Sequence, residues 1–183
     1  MKKILSLLLA AVLLVSLAAC GGTESKEPAP ASALEILEKV WGSYADDEKF
    51  PCGGGSGETM QMDKPGALDI TDTDTLTFQY LVPADQTANV TDGASLIHGM
   101  LTNHFTCGVF KVADAAAFAE TMHNVVSSNQ WMCGMPEALL IATIADQYVL
   151  VAFGLNDLMG TFEAKLTGAY AGAKLVYDEA IAG

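Results

Sequence analysis

The chain contains no arginine. Its nine basic residues are all lysines, set against 22 Asp plus Glu, for a formal net charge of −13. It therefore lacks the planar guanidinium fork that grips phosphates and carboxylates. A surface this acidic also repels phosphate backbones and anionic lipid heads. Nucleic acid is therefore not the partner expected. Cationic partners, metal ions or neutral solutes fit the balance, as does acidity that serves solubility alone. Other absences narrow the chemistry. There is no C-x-x-C, which disfavours a thioredoxin-type redox site. No H-E-x-x-H is present, and no G-x-S-x-G, since Ser56 has Gly54 before it but Glu58 after it. The run Gly53-Gly54-Gly55-Ser56-Gly57 is followed by neither Lys-Ser nor Lys-Thr, so a flexible loop is expected rather than a phosphate cradle. Asp69, Asp72 and Asp74 lack the glycine and distal glutamate of a calcium loop and read as turn and cap residues. The carboxylates are plentiful but scattered, and no pair stands out for acid–base work.

What is present begins at the N-terminus. Lys2 and Lys3 precede an apolar run from Ile4 to Ala19, broken only by Ser6 and Ser16. This is the charged, apolar and small-residue plan of an export signal. The run is sixteen residues long, short of the roughly 20 a spanning helix needs. Leu17-Ala18-Ala19-Cys20 resembles the lipobox of bacterial lipoproteins. That likeness implies cleavage before Cys20 and acylation of its thiol, and more than one chain anchors a protein stably, at about 0.8 kcal/mol per buried methylene. Residues 1–19 are then the signal peptide. Residues 20–32 form a lipidated tether of small, polar and proline residues, and residues 33–183 form one folded domain.

Within that domain, Ser32 and Glu35 form a capping box ahead of Leu34, Leu37, Val40, Trp41 and Tyr44 at helical spacing. Leu76, Phe78, Tyr80 and Val82 alternate and predict a strand stopped by Pro83. Residues 94–101 fit helix or strand, and 106–112 fit a strand. Asp114 caps a helix whose stripe is Ala115, Phe118, Ala119, Met122, Val125 and Val126. Residues 139–144 and 148–153 predict a hairpin that is apolar on both faces, hence a sheet covered twice. A last helix is expected to carry Leu158, Phe162, Leu166, Tyr170 and Tyr177. Its small residues Gly160, Ala164, Gly168 and Gly172 would form a ridge packed on the sheet or, as the alternative, a homodimer seam. The element order predicts an α+β domain with a mainly antiparallel sheet and amphipathic helices packed on it.

With Cys20 acylated, Cys52, Cys107 and Cys133 remain, and three thiols cannot all pair. Cys107 with Cys133 is the leading pairing, Cys52 with Cys133 the next, and free buried thiols the third. His98, His104, Cys107 and Cys133 are the densest set of metal-ligating side chains, because imidazole and thiolate suit zinc or copper. A cysteine nucleophile activated by His104 or His98 belongs to the same reading. Residues 131–136, Trp-Met-Cys-Gly-Met-Pro, form an aromatic, sulfur-rich loop, either a ligand-facing patch or a plug closing the core.

Residues 94–112 (ASLIHGMLTNHFTCGVFKV), 130–137 (QWMCGMPE) and 146–154 (DQYVLVAFG) resemble a group of gut-anaerobe lipoproteins of unknown function. Some of these are labelled bacteriocin transport accessory proteins, a label that goes with a C-x-x-C this chain lacks. The resemblance implies a lipid-anchored, extracytoplasmic α+β domain and no catalytic residues. The expectation is a non-enzymatic binding or interaction module without cofactor, at the outer face of the cell membrane. Its partner would be a protein or small solute, and its oligomeric state is left open. The alternative is a metal-binding or thiol-dependent redox protein.

Overall fold

The computed structural model of the chain describes residues 29–132 and 134–181. Cys20, most of the tether and Cys133 lie outside them. The first elements are α1 (Ala33–Gly42), β1 (Cys52–Gly54), β2 (Gln61–Met62), β3 (Gly66–Ala67) and α2 (Thr73–Tyr80). They are followed by β4 (Asp92–His98), β5 (Phe105–Lys111) and α3 (Ala115–Ser127). The chain then runs through β6 (Ala138–Ile144), β7 (Tyr148–Gly154), α4 (Asn156–Ala169) and β8 (Lys174–Ala180).

The hairpin forms as expected. β6 and β7 pair from Ala138↔Gly154 to Ile144↔Tyr148. Ala145 and Asp146 turn the chain at φ 51° and 57°, the left-handed pair whose twist suits a tight hairpin. β5 pairs with β7 and β4 with β5, all antiparallel. The order across the sheet is β2-β1-β4-β5-β7-β6-β8, with β3 also paired to β4.

Both faces of this sheet are apolar, and both are covered. On one face lie α1, through Ile36, Leu37 and Val40, and α4, through Met159, Phe162 and Leu166. They pack on Leu96, Cys107, Leu150 and Ala152. On the other face lie α2, through Leu76 and Tyr80, and α3, through Phe118, Met122 and Val126. They pack on Phe110, Ile141, Val149 and Val151. Each such side chain, once fully buried, contributes about 1.5–3 kcal/mol, so two cores rather than local propensity hold the domain. The caps agree with the sequence. Ser32 Oγ accepts from Glu35 N at 3.1 Å, and Asp114 Oδ1 accepts from Ala117 N at 3.0 Å. The carboxylate of Glu35 reaches back to Ala31 N at 2.8 Å. Folded structure already includes Pro30, which is buried and accepts from the Tyr148 hydroxyl at 3.4 Å. The chain is a single α+β domain.

Four expectations are corrected. Residues 73–80 are a helix and not a strand: Asp72 caps it through Thr75 N at 3.0 Å, and Leu76 and Tyr80 are the buried pair four apart. Tyr177 belongs to β8 and not to the last helix, which ends at Ala169. His123 of α3 holds β8 in place, stacking on Tyr177 at 3.9 Å and pairing with Glu179 at 2.7 Å. The small ridge does not pack on the sheet, since a Cβ at Gly160, Gly168 or Gly172 would meet open space. Finally, the glycine run is not a free loop. Gly53 and Gly54 are part of β1, which pairs with β2 and β4.

Candidate functional site

β4 ends at His98, and a tight turn with a short 3-10 segment, Thr102–His104, leads into β5. This brings the two imidazoles together, with ring centroids 5.3 Å apart. His98 also stacks on Phe50 at 5.7 Å. Its Nδ1 accepts from Met100 N and Leu101 N, each at 3.3 Å, so the ring fastens the turn that follows it. Burial, and secondarily the neighbouring His104, hold its pKa below the usual histidine range.

Cys52 and Cys107 go elsewhere. Cys107 pairs with Leu96 across the sheet and is wholly buried beneath α1. Burial pushes its thiol well above the ordinary range. Cys52, opposite His98, is also buried, and burial pushes its thiol up to about 12. Both are free thiols. A nucleophilic cysteine needs a thiolate in reach of solvent, and neither has one. Among the described residues no group of three or more His, Cys, Asp or Glu side chains is placed to hold a metal ion.

An opening lies on the other face of the sheet. Where α2 and the segment after α3 diverge, they leave a groove of about 510 Å³. One wall is α2, which presents Thr77, Phe78 and Gln79; Phe78 is 80% exposed. The floor holds Thr106 of β5 and Phe153 of β7. The opposite wall is Asn129, Gln130, Trp131 and Met132. Asn103 pins that wall by donating from Nδ2 to the carbonyls of Met132 at 2.9 Å and Gly134 at 2.7 Å. Thr106 Oγ1 donates to Thr102 O at 3.0 Å and steadies the end of the groove. Trp131 packs on Phe153, centroids 4.9 Å apart. Its indole Nε1–H is buried and meets no acceptor among the described residues, which costs on the order of 1–3 kcal/mol.

Among the described residues, none that lines this groove is charged. The contrast is with a smaller hollow of about 180 Å³ between α4 and strands β6 and β8, which Glu163 and Asp178 both line. The Trp131 loop has two kinds of contact in the fold. It closes the core over Phe153, and it walls an opening. The α2 wall was not legible, because the alternation of Leu76, Phe78 and Tyr80 imitates a strand. The available signal was Asp72 with Thr75 three residues on, an N-cap spacing.

No described helix is long and apolar enough to cross a membrane. Compared with family models, curated proteins and solved structures, the chain matches none.

Proposed function

We propose that this chain is a lipid-anchored, extracytoplasmic binding module. Acyl groups on Cys20 hold it at the membrane, and a neutral ligand sits in the Trp131 groove. The observation that carries the binding half is the charge-free lining of that groove in a chain of net charge −13. Its described lining residues are hydroxyls, amides and apolar side chains, with no general base, acid or activated nucleophile among them. Such side chains suit recognition and orientation of a neutral ligand. What supports the anchor is the signal plan, the Leu17-Ala18-Ala19-Cys20 sequence and the likeness of three stretches to gut-anaerobe lipoproteins. An acidic domain without a basic patch has nothing else to hold an anionic bilayer.

Two measurements test the two halves. Cys20→Ser is expected to leave the protein uncleaved or released from membranes, and normal processing with full membrane retention would overturn the anchor. A thermal-shift screen with neutral solutes should raise the melting temperature of the wild type and lose that rise in Trp131→Ala. The rival reading, metal or redox chemistry at His98, His104, Cys107 and Cys133, has the 5.3 Å approach of the two imidazoles in its favour. Stoichiometric zinc or copper in the purified protein would favour it instead.

A further inference from the structure

Resting on the groove being a ligand seat, we propose that its ligand class is a short neutral oligosaccharide. Three properties of the lining lead there together. The first is charge. A cationic or anionic ligand entering the groove would shed water and meet no counter-charge, which is costly.

The second is unused hydrogen-bonding capacity. Thr77, Gln79, Thr102, Asn129 and Gln130 all line the groove. None of their side chains takes part in a hydrogen bond with another described residue, whereas Asn103 and Thr106 beside them are engaged. Amides offer donors and an acceptor side by side, and a threonine hydroxyl does both through one atom. The complementary ligand carries many groups that also donate and accept, which describes the hydroxyls of a sugar. A purely apolar solute would leave these amides without partners.

The third is the aromatic surface. Trp131 is braced from behind by Phe153, and Phe78 stands out from α2 on the facing wall. Aromatic faces carry negative charge density and attract the weakly positive C–H bonds on the flat face of a pyranose ring. Polar edges with an apolar face in one ligand match amides with aromatic rings in one groove.

A peptide fits less well. Extended peptides dock by adding a strand to a free sheet edge, and the two strands at the floor, β5 and β7, are each paired on both sides. Among the described lining residues there is no charged side chain to take a peptide terminus or side-chain charge. The volume of about 510 Å³ lies inside the range of roughly 300–1,000 Å³ found for small-molecule sites, and the groove is open to solvent, so a short chain of rings is accommodated better than one.

The test uses the full chain in detergent, a panel of neutral oligosaccharides spanning the common hexose and N-acetylhexosamine linkages, and blocked neutral tripeptides as the competing class. Side-chain amide and indole signals are followed by NMR, and affinity by calorimetry. At least one oligosaccharide is expected to shift the side-chain amides of Gln79, Asn129 and Gln130 and the indole of Trp131. Trp131→Ala should weaken that binding about tenfold. Gln79→Ala and Gln130→Ala, whose side chains form no hydrogen bond with another described residue, should weaken it several-fold with an unchanged melting temperature. They keep the test sound if loss of Trp131 unfolds the protein. Groove signals that move with blocked tripeptides and with no sugar overturn the saccharide class and leave the binding reading standing. No groove shift from either panel overturns both. Sugar binding that the Gln variants leave intact overturns the assignment to this groove.

Discussion

The hydroxyl of Tyr80, on α2, donates to Ser95 Oγ, on β4, at 2.8 Å, and the same oxygen accepts from Gly55 N at 2.9 Å. Ser95 is fully buried, so one side chain ties a helix, a central strand and the glycine segment together out of water. Tyr80→Phe is expected to cost about 1–2 kcal/mol, because it removes the hydroxyl and its bond together. Ser95→Ala should cost more, roughly 2–4 kcal/mol, because it strands two buried donors at once. Tyr44→Phe provides the control. Its hydroxyl is buried with no hydrogen-bond partner among the described residues, so removing it should be neutral or stabilise by up to about 1 kcal/mol. Urea unfolding with equal slopes compares all three; a Tyr44→Phe loss matching that of Tyr80→Phe would contradict the network.

Gly54 and Gly160 give opposite expectations. A Cβ at Gly54 would collide with the Ser95 carbonyl and with Gly66 N, where β1 and the start of β3 pass backbone to backbone. Gly54→Ala should therefore cost about 3 kcal/mol or more, since backbone cannot give way as a side chain does. Gly160, in the middle of α4, faces open space. Gly160→Ala should stabilise by about 0.5–1 kcal/mol through helix propensity alone. Melting temperatures of the two variants, moving in opposite directions, check both.

Those glycines also show what the sequence could and could not convey. Side-chain periodicity reports burial, so the hairpin of β6 and β7, the stripe of α3 and the doubly covered sheet were legible. β1, β2 and β3 are only two or three residues long, and β1 and β3 bear glycine, so they pair through backbone and leave no pattern. α2 was misread for a different reason. Phe78 is an apolar residue on its exposed side, and this fills in the alternation of a strand. The helix also ends at Leu81, with φ 59°, where glycine is the usual residue and the usual signal. β8 was absorbed into the helix before it because most of its side chains face water, so neither period is visible. For the groove, the sequence marked Trp131 and Met132 but could not bring Phe78 and Gln79 to face them.

His98 makes stability depend on pH. In the fold its neutral ring accepts two backbone N–H groups at Nδ1, and burial with His104 nearby lowers its pKa. In the unfolded chain it titrates near the ordinary value of about 6.5. Between the depressed folded pKa and that value, the unfolded chain binds more protons, so stability rises with pH across the window and falls as the medium is acidified through it. Protonation also removes the lone pair that fastens the turn before His104. His98→Gln should flatten the dependence of the urea midpoint on pH below about 6.5. An unchanged slope in that variant would assign the effect to another group.

Cys52 and Cys107 differ in what shields them, and their reactivity should rank accordingly. Both thiols are buried, and burial raises both, so at pH 8 neither carries appreciable thiolate while folded. Modification must then wait for opening of the structure. Cys107 sits in β5, bonded on both sides by seven-residue strands, and opens only with the sheet. Cys52 sits at the start of a three-residue strand with short register on either side, and opens with local fraying. In a Cys20→Ser background, a thiol reagent should therefore modify Cys52 first under native conditions, with Cys107 following at the rate of global unfolding. Denaturant without reductant should release three reactive thiols, since Cys52 and Cys107 are both free and leave Cys133 no cysteine to pair with in the chain. A single reactive thiol would restore a disulfide to Cys133. Peptide mapping would then show whether Cys107 or Cys52 is its partner, and the ranking of the two rates would lose its basis.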